Sequence, residues 1–135
     1  MKLKKASAEI YVPDNLPIGD ALARTTHLAI GAHADDLEIM ALHGILECYE
    51  RGDRWFCGVT VTDGARSVRE GQFAKLSAQE FIAVRAHEQK EAARLGQYGA
   101  QILLGYGSAE ARTPDEKDII SELSSLLQAT RPKVV

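Results

Sequence analysis

The sequence predicts an α/β fold, a three-layer α/β/α sandwich of Rossmann-like type with a mainly parallel sheet, and three observations predict it. From Thr26 onward, short apolar or β-branched runs alternate with longer stretches of helical periodicity. That order implies parallel strands joined by right-handed helical crossovers. Residues rich in chemistry follow two of the strands, at the carboxyl ends where open sheets gather ligands. No repeat or low-complexity tract interrupts the chain, so residues 1–135 read as one domain.

Residues 1–25 mix Pro13, Asp14, Asn15, Pro17 and Gly19 and are expected to form an extended arm leading into the fold. HLAIGAH (27–33) is then a short buried strand. DLEIMALHGILECYERG (36–52) is a helix with Leu37, Met40, Ala41, Ile45 and Cys48 on one stripe and Gly52 as its stop. WFCGVTVT (55–62) is aromatic and β-branched, hence a second strand, followed by the polar loop DGARSVREG. SAQEFIAVRAHEQKEAARLG (77–96) is a long helix with Ser77 as cap, Glu80 in capping-box position and Gly96 at the end. AQILLGYG (100–107) gives a third strand, and Thr113 or Pro114 opens a helix running to about Thr130. Lys133-Val134-Val135 reads as the opening of a fourth strand.

Composition narrows the functions open to such a fold. A chain of 135 residues with 45% hydrophobic content buries roughly two-thirds of its unfolded surface and forms a soluble globular domain. A net charge of −3 with both signs mixed supplies no basic field for nucleic acid and no polybasic membrane anchor; a small neutral or polar substrate fits better. Met1-Lys2-Leu3-Lys4-Lys5 lacks the apolar core and cleavage site of a signal peptide, and no long apolar span occurs, so a cytoplasmic location is expected. Cys48 and Cys57 fall on a predicted helix and strand and read as reduced packing residues.

The stretch LAIGAHADDLEIM (28–40) concentrates the chemistry. His33 leaves a strand and Asp36 follows three residues later in the first turn of a helix, so the two can converge on one cation. Imidazole with carboxylate suits Zn²⁺ or, less specifically, Fe²⁺ or another first-row metal. Asp35, adjacent but pointing elsewhere, is then free to act as a general base. Aspartates at a helix start also satisfy orphan amides, which would account for Asp35 or Asp36 alone but not for both together with His33.

Strand, A-H-A-D-D-L-E, then helix resembles the PIG-L/LmbE-like zinc-dependent N-deacetylases, whose signature is A-H-P-D-D followed shortly by Glu. The resemblance implies His33 and Asp36 as zinc ligands, Asp35 as general base and Glu38 as the acidic residue closing the motif. V-T-D-G (61–64) is similar to the family's second-strand loop and brings in Asp63; R-A-H-E followed by A-A-R-L-G is similar to its R-x-x-E helix. Arg85 and Asp63 are the implied substrate-binding residues. The similarity runs from Leu28 to Val135 with two departures: Ala34 stands for the usual proline, and Met40-Ala41-Leu42-His43 replaces a glycine-rich stretch, a bulkier wall where backbone and substrate approach closely.

The implied function is a metal-dependent hydrolase that removes acetyl from an N-acetylated sugar-type substrate, with Zn²⁺ as cofactor, no nucleic acid or membrane partner, and room for a homo-oligomer. The family's third ligand lies in an H-x-D-H-like segment beyond the fourth strand, which this sequence does not reach; a fragment truncated within that strand is the expectation, with completion of the site by another chain or loss of catalysis as the alternatives. His43 lies seven residues beyond Asp36 on the same helix, about 10 Å along its axis and too far to share a metal. His27 and His87 read as surface or satisfied structural residues. The alternative is a non-catalytic carbohydrate- or nucleotide-binding α/β module; a dinucleotide enzyme is disfavoured because no G-x-G-x-x-G follows the first strand.

Overall fold

The computed structural model describes residues 2–114 and 116–135. Among the described residues four strands form one sheet: β1 (Glu9–Tyr11), β2 (His27–Gly31), β3 (Phe56–Thr62) and β4 (Ala100–Tyr106), in the order β1-β4-β3-β2. β2, β3 and β4 run parallel, and β1 joins the β4 edge antiparallel. All seven residues of β3 are buried, as expected of a parallel strand covered on both faces.

Helices cover both faces. Ala21 and Leu22 of α1 (Ile18–Ala23) and Ile119 and Leu126 of α6 (Lys117–Thr130) pack with Leu28, Val59, Val61, Ile102 and Leu104 in the larger core. Ile45 and Cys48 of α3 (Leu42–Cys48) and Ala93 of α4 (Ala78–Leu95) pack with Phe56 and Tyr98 in the smaller one. The Phe56 and Tyr98 rings meet edge to face at 4.7 Å. No described helix is long and apolar enough to cross a membrane.

The structure differs from the sequence expectation at the amino end. Where an extended arm is expected, the chain adds β1 through Ile10 opposite Ile102 and then α1, with Pro17 at the N-cap. Pro13 and Pro17 mark the end of one short element and the start of the next, since proline suits a helix start that needs no amide there. Elements of three and six residues are too short to show a period.

The helix expected over 36–52 is also divided. α2 (Asp36–Met40) and α3 meet at Ala41, whose φ of −109° and ψ of 14° leave the helical region, and α3 ends at Cys48. Leu37, Ile45 and Cys48 keep their buried stripe, whereas Met40 is 70% exposed. Further along, α4 has the expected start: Ser77 Oγ accepts from the Glu80 amide at 3.2 Å and the Glu80 carboxylate accepts from the Ser77 amide at 2.8 Å. Gly96 caps its end. α5 (Ser108–Ala111) is unanticipated, and α6 opens at Lys117 rather than at Thr113 or Pro114, with Glu116 accepting from the Asp118 amide. Val134 makes one parallel bridge to His27 on the far side of β2, with the Leu28 amide donating to its carbonyl at 3.0 Å.

Both cysteines are free and buried, and burial pushes the Cys57 thiol up to about 12. His27 is buried with its ring nitrogens 2.9 Å from Thr26 Oγ1 and 3.0 Å from Glu47 Oε2, a satisfied structural histidine as read from the sequence.

Gly58 at the centre of β3 ties the sheet to α2. A Cβ there would overlap Gln101 Oε1 and lie 2.7 Å from Leu37 Cδ1. Gly58→Ala should therefore cost about 1–3 kcal/mol by overpacking, read as a lower denaturant midpoint at unchanged m-value. An unchanged midpoint would mean that Leu37 and Gln101 yield freely.

Candidate active site at the carboxyl end of β2

The site begins with a close approach. β2 ends at Gly31, and a Cβ there would lie 2.9 Å from Asp36 Cβ, so only glycine lets α2 fold back so tightly. The Thr62 amide donates to Ala32 O at 2.9 Å and keeps the outgoing chain in line with β3. Three residues later Asp35 adopts φ 72° and ψ −15°, a left-handed conformation that Asp tolerates better than most residues. Asp36 then opens α2.

This backbone sends the paired aspartates to different partners. Asp36 Oδ2 accepts from the His33 amide at 2.8 Å and stands 3.5 Å from His33 Nδ1, so His33 and Asp36 do come together. The Asp35 carboxylate instead accepts from Arg85 Nη2 at 3.1 Å and keeps 64% of its side chain exposed. Its amide donates to Gln89 Oε1 at 3.1 Å. Asp35 makes no side-chain cap bond to α2, so capping does not explain its presence.

Arg85 and Gln89 reach the motif from one face of α4, four residues apart. The Arg85 guanidinium also donates to Ala34 O at 3.3 Å and to Glu88 Oε2 at 2.6 Å. Gln89, 2% exposed, uses both ends of its amide: Oε1 holds Asp35, and Nε2 donates to Glu38 Oε1 at 2.9 Å. Tyr98 donates to the same Glu38 oxygen at 2.7 Å. Burial, then the bond to the Glu38 carboxylate, pushes the Tyr98 phenol well above its ordinary range. Glu38 is thus a buttress beneath the motif.

Asp63 follows β3, and its Oδ1 accepts from the Ala65 amide at 2.9 Å in an Asx turn. Asp63, Arg85, Ala34 and Thr62 line one cavity of about 40 Å³ between α4 and the strand ends. Two polar atoms on these residues, Thr62 Oγ1 and Arg85 Nε, are buried without a hydrogen-bond partner. The remaining histidines stand apart from this cluster: His43 is 90% exposed and 3.3 Å from Glu47, and His87 is exposed.

A family model described as GlcNAc-PI de-N-acetylase (PIG-L) matches residues 28–135. The chain belongs to the PIG-L family. No curated protein and no solved structure gives a match. The matched segment holds the motif, Asp63 and Arg85, and leaves β1 and α1 outside it.

His33 and Asp36 are a nitrogen–oxygen donor pair of the kind a catalytic zinc takes, but such a zinc usually has three protein ligands. Among the described residues no three His, Cys, Asp or Glu side chains are gathered for a metal. The pair would fit such a cation in kind but makes up only part of the usual donor set.

Sequence reading missed Gln89, Tyr98 and Thr62. A signal for Gln89 existed: Phe81, Arg85, Gln89 and Ala93 recur every fourth residue, and polar side chains on a stripe with Phe81 and Ala93 need partners. Gln89→Leu should strand the Asp35 amide and remove one donor from Glu38. A loss of about 2 kcal/mol in unfolding free energy is expected from denaturant titration. A loss under about 0.5 kcal/mol would show that water replaces both bonds.

Proposed function

We propose that this chain carries the base and two metal donors of an N-deacetylase acting on an N-acetylated sugar-type substrate. The observation that carries the reading is the division between the paired aspartates: Asp36 turned to His33, Asp35 held away from both by Arg85 and Gln89. His33 and Asp36 would hold the cation, Zn²⁺ by donor type. A zinc bound in such a site supplies Lewis acidity toward a carbonyl and makes water a better nucleophile at neutral pH.

The chain's own residues supply the rest. Asp35, open to solvent on one side, takes a proton from the attacking water as its oxygen adds to the acetamide carbon. Collapse breaks the C–N bond, the proton passes to the departing nitrogen, and acetate and a free amine result. Arg85 orients Asp35 with one nitrogen and, with Asp63, lines the cavity in which substrate would sit. The free, buried thiols support a reducing, cytoplasmic setting.

Measuring bound zinc and amine release side by side tests the division of labour. Asp35→Asn should keep its zinc while turnover falls by roughly 10²–10⁴, the usual contribution of a positioned general base. Asp36→Asn should lose zinc and rate together. Metal loss in Asp35→Asn with full activity per bound zinc would reverse the two roles, and sugar binding without amine release in the unaltered protein would point to a carbohydrate-binding module.

A further inference from the structure

α3 is apolar on two sides. Ile45 and Cys48 pack into the smaller core, as a helix resting on a sheet requires. Leu42, Leu46 and Tyr49, spaced four and three residues apart, form a second stripe, and each is between 39% and 60% exposed. A surface helix normally turns polar residues outward, and one that is apolar on both sides is built to be buried on both. The polar side of α3 is a third one, where Glu47 bonds His27 and His43.

Beside the exposed stripe runs a groove of about 430 Å³ between α3 and the end of α4. Ile45 and Tyr98 lie beneath it, and Leu95, 65% exposed, forms its far wall. Leu42, Leu46, Tyr49 and Leu95 together leave roughly 400 Å² of apolar surface open, a patch of the size that marks an interaction site. Interfaces are a little over half non-polar, so an apolar centre of this size belongs with about 700–800 Å² of contact on each partner. That is the area of one side of a stable, specific complex.

Shape and charge select the occupant. The ridge of Leu42, Leu46 and Tyr49 and the groove lie side by side on one face, so a two-fold rotation seats the ridge of each chain in the groove of the other. α3 spans about 10 Å at 1.5 Å per residue, enough for one antiparallel ridge-into-groove contact. Charges flanking the face come in pairs of opposite sign, Arg94 with Glu91 at 2.9 Å and Arg51 with Asp53 at 3.1 Å. Such a rim meets an identical rim without net repulsion, whereas an anionic membrane attracts a basic excess that these pairs do not offer. We propose that the α3–α4 face is a self-association surface, on which a second copy of this chain lays its own α3 against Leu46, Tyr49 and Leu95. Glu38 and Tyr98 line the inner part of the groove, so the contact closes over the buttress of the motif; His33, Asp35 and Asp36 do not line it, and their open side stays accessible. The assignment is independent of the deacetylase reading.

Sedimentation equilibrium on the unaltered chain should give the mass of two chains, dissociating no more weakly than the low micromolar range. Leu46→Glu places a charge at the centre of the face twice over, because a two-fold contact repeats every substitution, and should weaken association at least about hundredfold. Leu95→Glu should act in the same direction. Ile120→Glu, at an exposed position of α6 on the opposite face of the sheet, should leave the mass unchanged. Circular dichroism reports whether each variant is folded; if Leu46→Glu is not, Leu95→Glu decides. A single-chain mass throughout the micromolar range, or a dimer that ignores both substitutions, overturns the proposal. Flotation with vesicles of phosphatidylcholine and phosphatidylserine examines the other occupant. A single-chain mass together with vesicle binding that Leu46→Glu abolishes assigns the face to a lipid surface and overturns the proposal as well.

Discussion

One buried amide holds the turn of the H-x-D-D motif together. Gln89 accepts from the Asp35 amide and donates to Glu38, spanning the motif from its left-handed residue to the first turn of α2. A left-handed residue other than glycine costs about 1 kcal/mol, a cost of the same order as one net hydrogen bond. The turn at Asp35 is what separates the two aspartates: with Asp35 held there, its carboxylate meets Arg85 while the next residue folds back on His33. Two adjacent, chemically identical side chains thereby acquire different surroundings. A divided role for acid–base work and cation binding needs that inequality before any cation arrives.

The same turn depends on the sheet below it. Gly31 removes the side chain that would block Asp36, and Gly58 makes room for Leu37 against the central strand. Leu37 is 2% exposed, so the first turn of α2 is anchored in packed interior even though His33 and Asp35 face solvent. Rigid support beneath and open side chains above is the arrangement a catalytic constellation requires, since binding geometry decays quickly when its base can shift.

Much of this was legible in the residues. The alternation of strand and helix, the capping box at Ser77 and Glu80, and the H-x-x-D spacing each rest on local chemistry, and each has its counterpart in the structure. What escaped the sequence was tertiary. β1 takes its partners from β4, nearly a hundred residues away, and nothing in Glu9-Ile10-Tyr11 announces that edge. The break at Ala41 has no proline or glycine to mark it. Gln89 left only its place on the stripe of α4 as a signal, and Thr62 became visible only when burial showed a hydroxyl without a partner.

Zinc titration followed by the ring resonances of the four histidines tests the central claim most directly, because it asks which imidazole receives the cation. The account predicts that His33 shifts first and that Asp36→Asn abolishes the shift, while His27, His43 and His87 stay in place. Response at His27 and His43, which share Glu47 on the far part of α3, with His33 unmoved would contradict it and move the metal away from the motif.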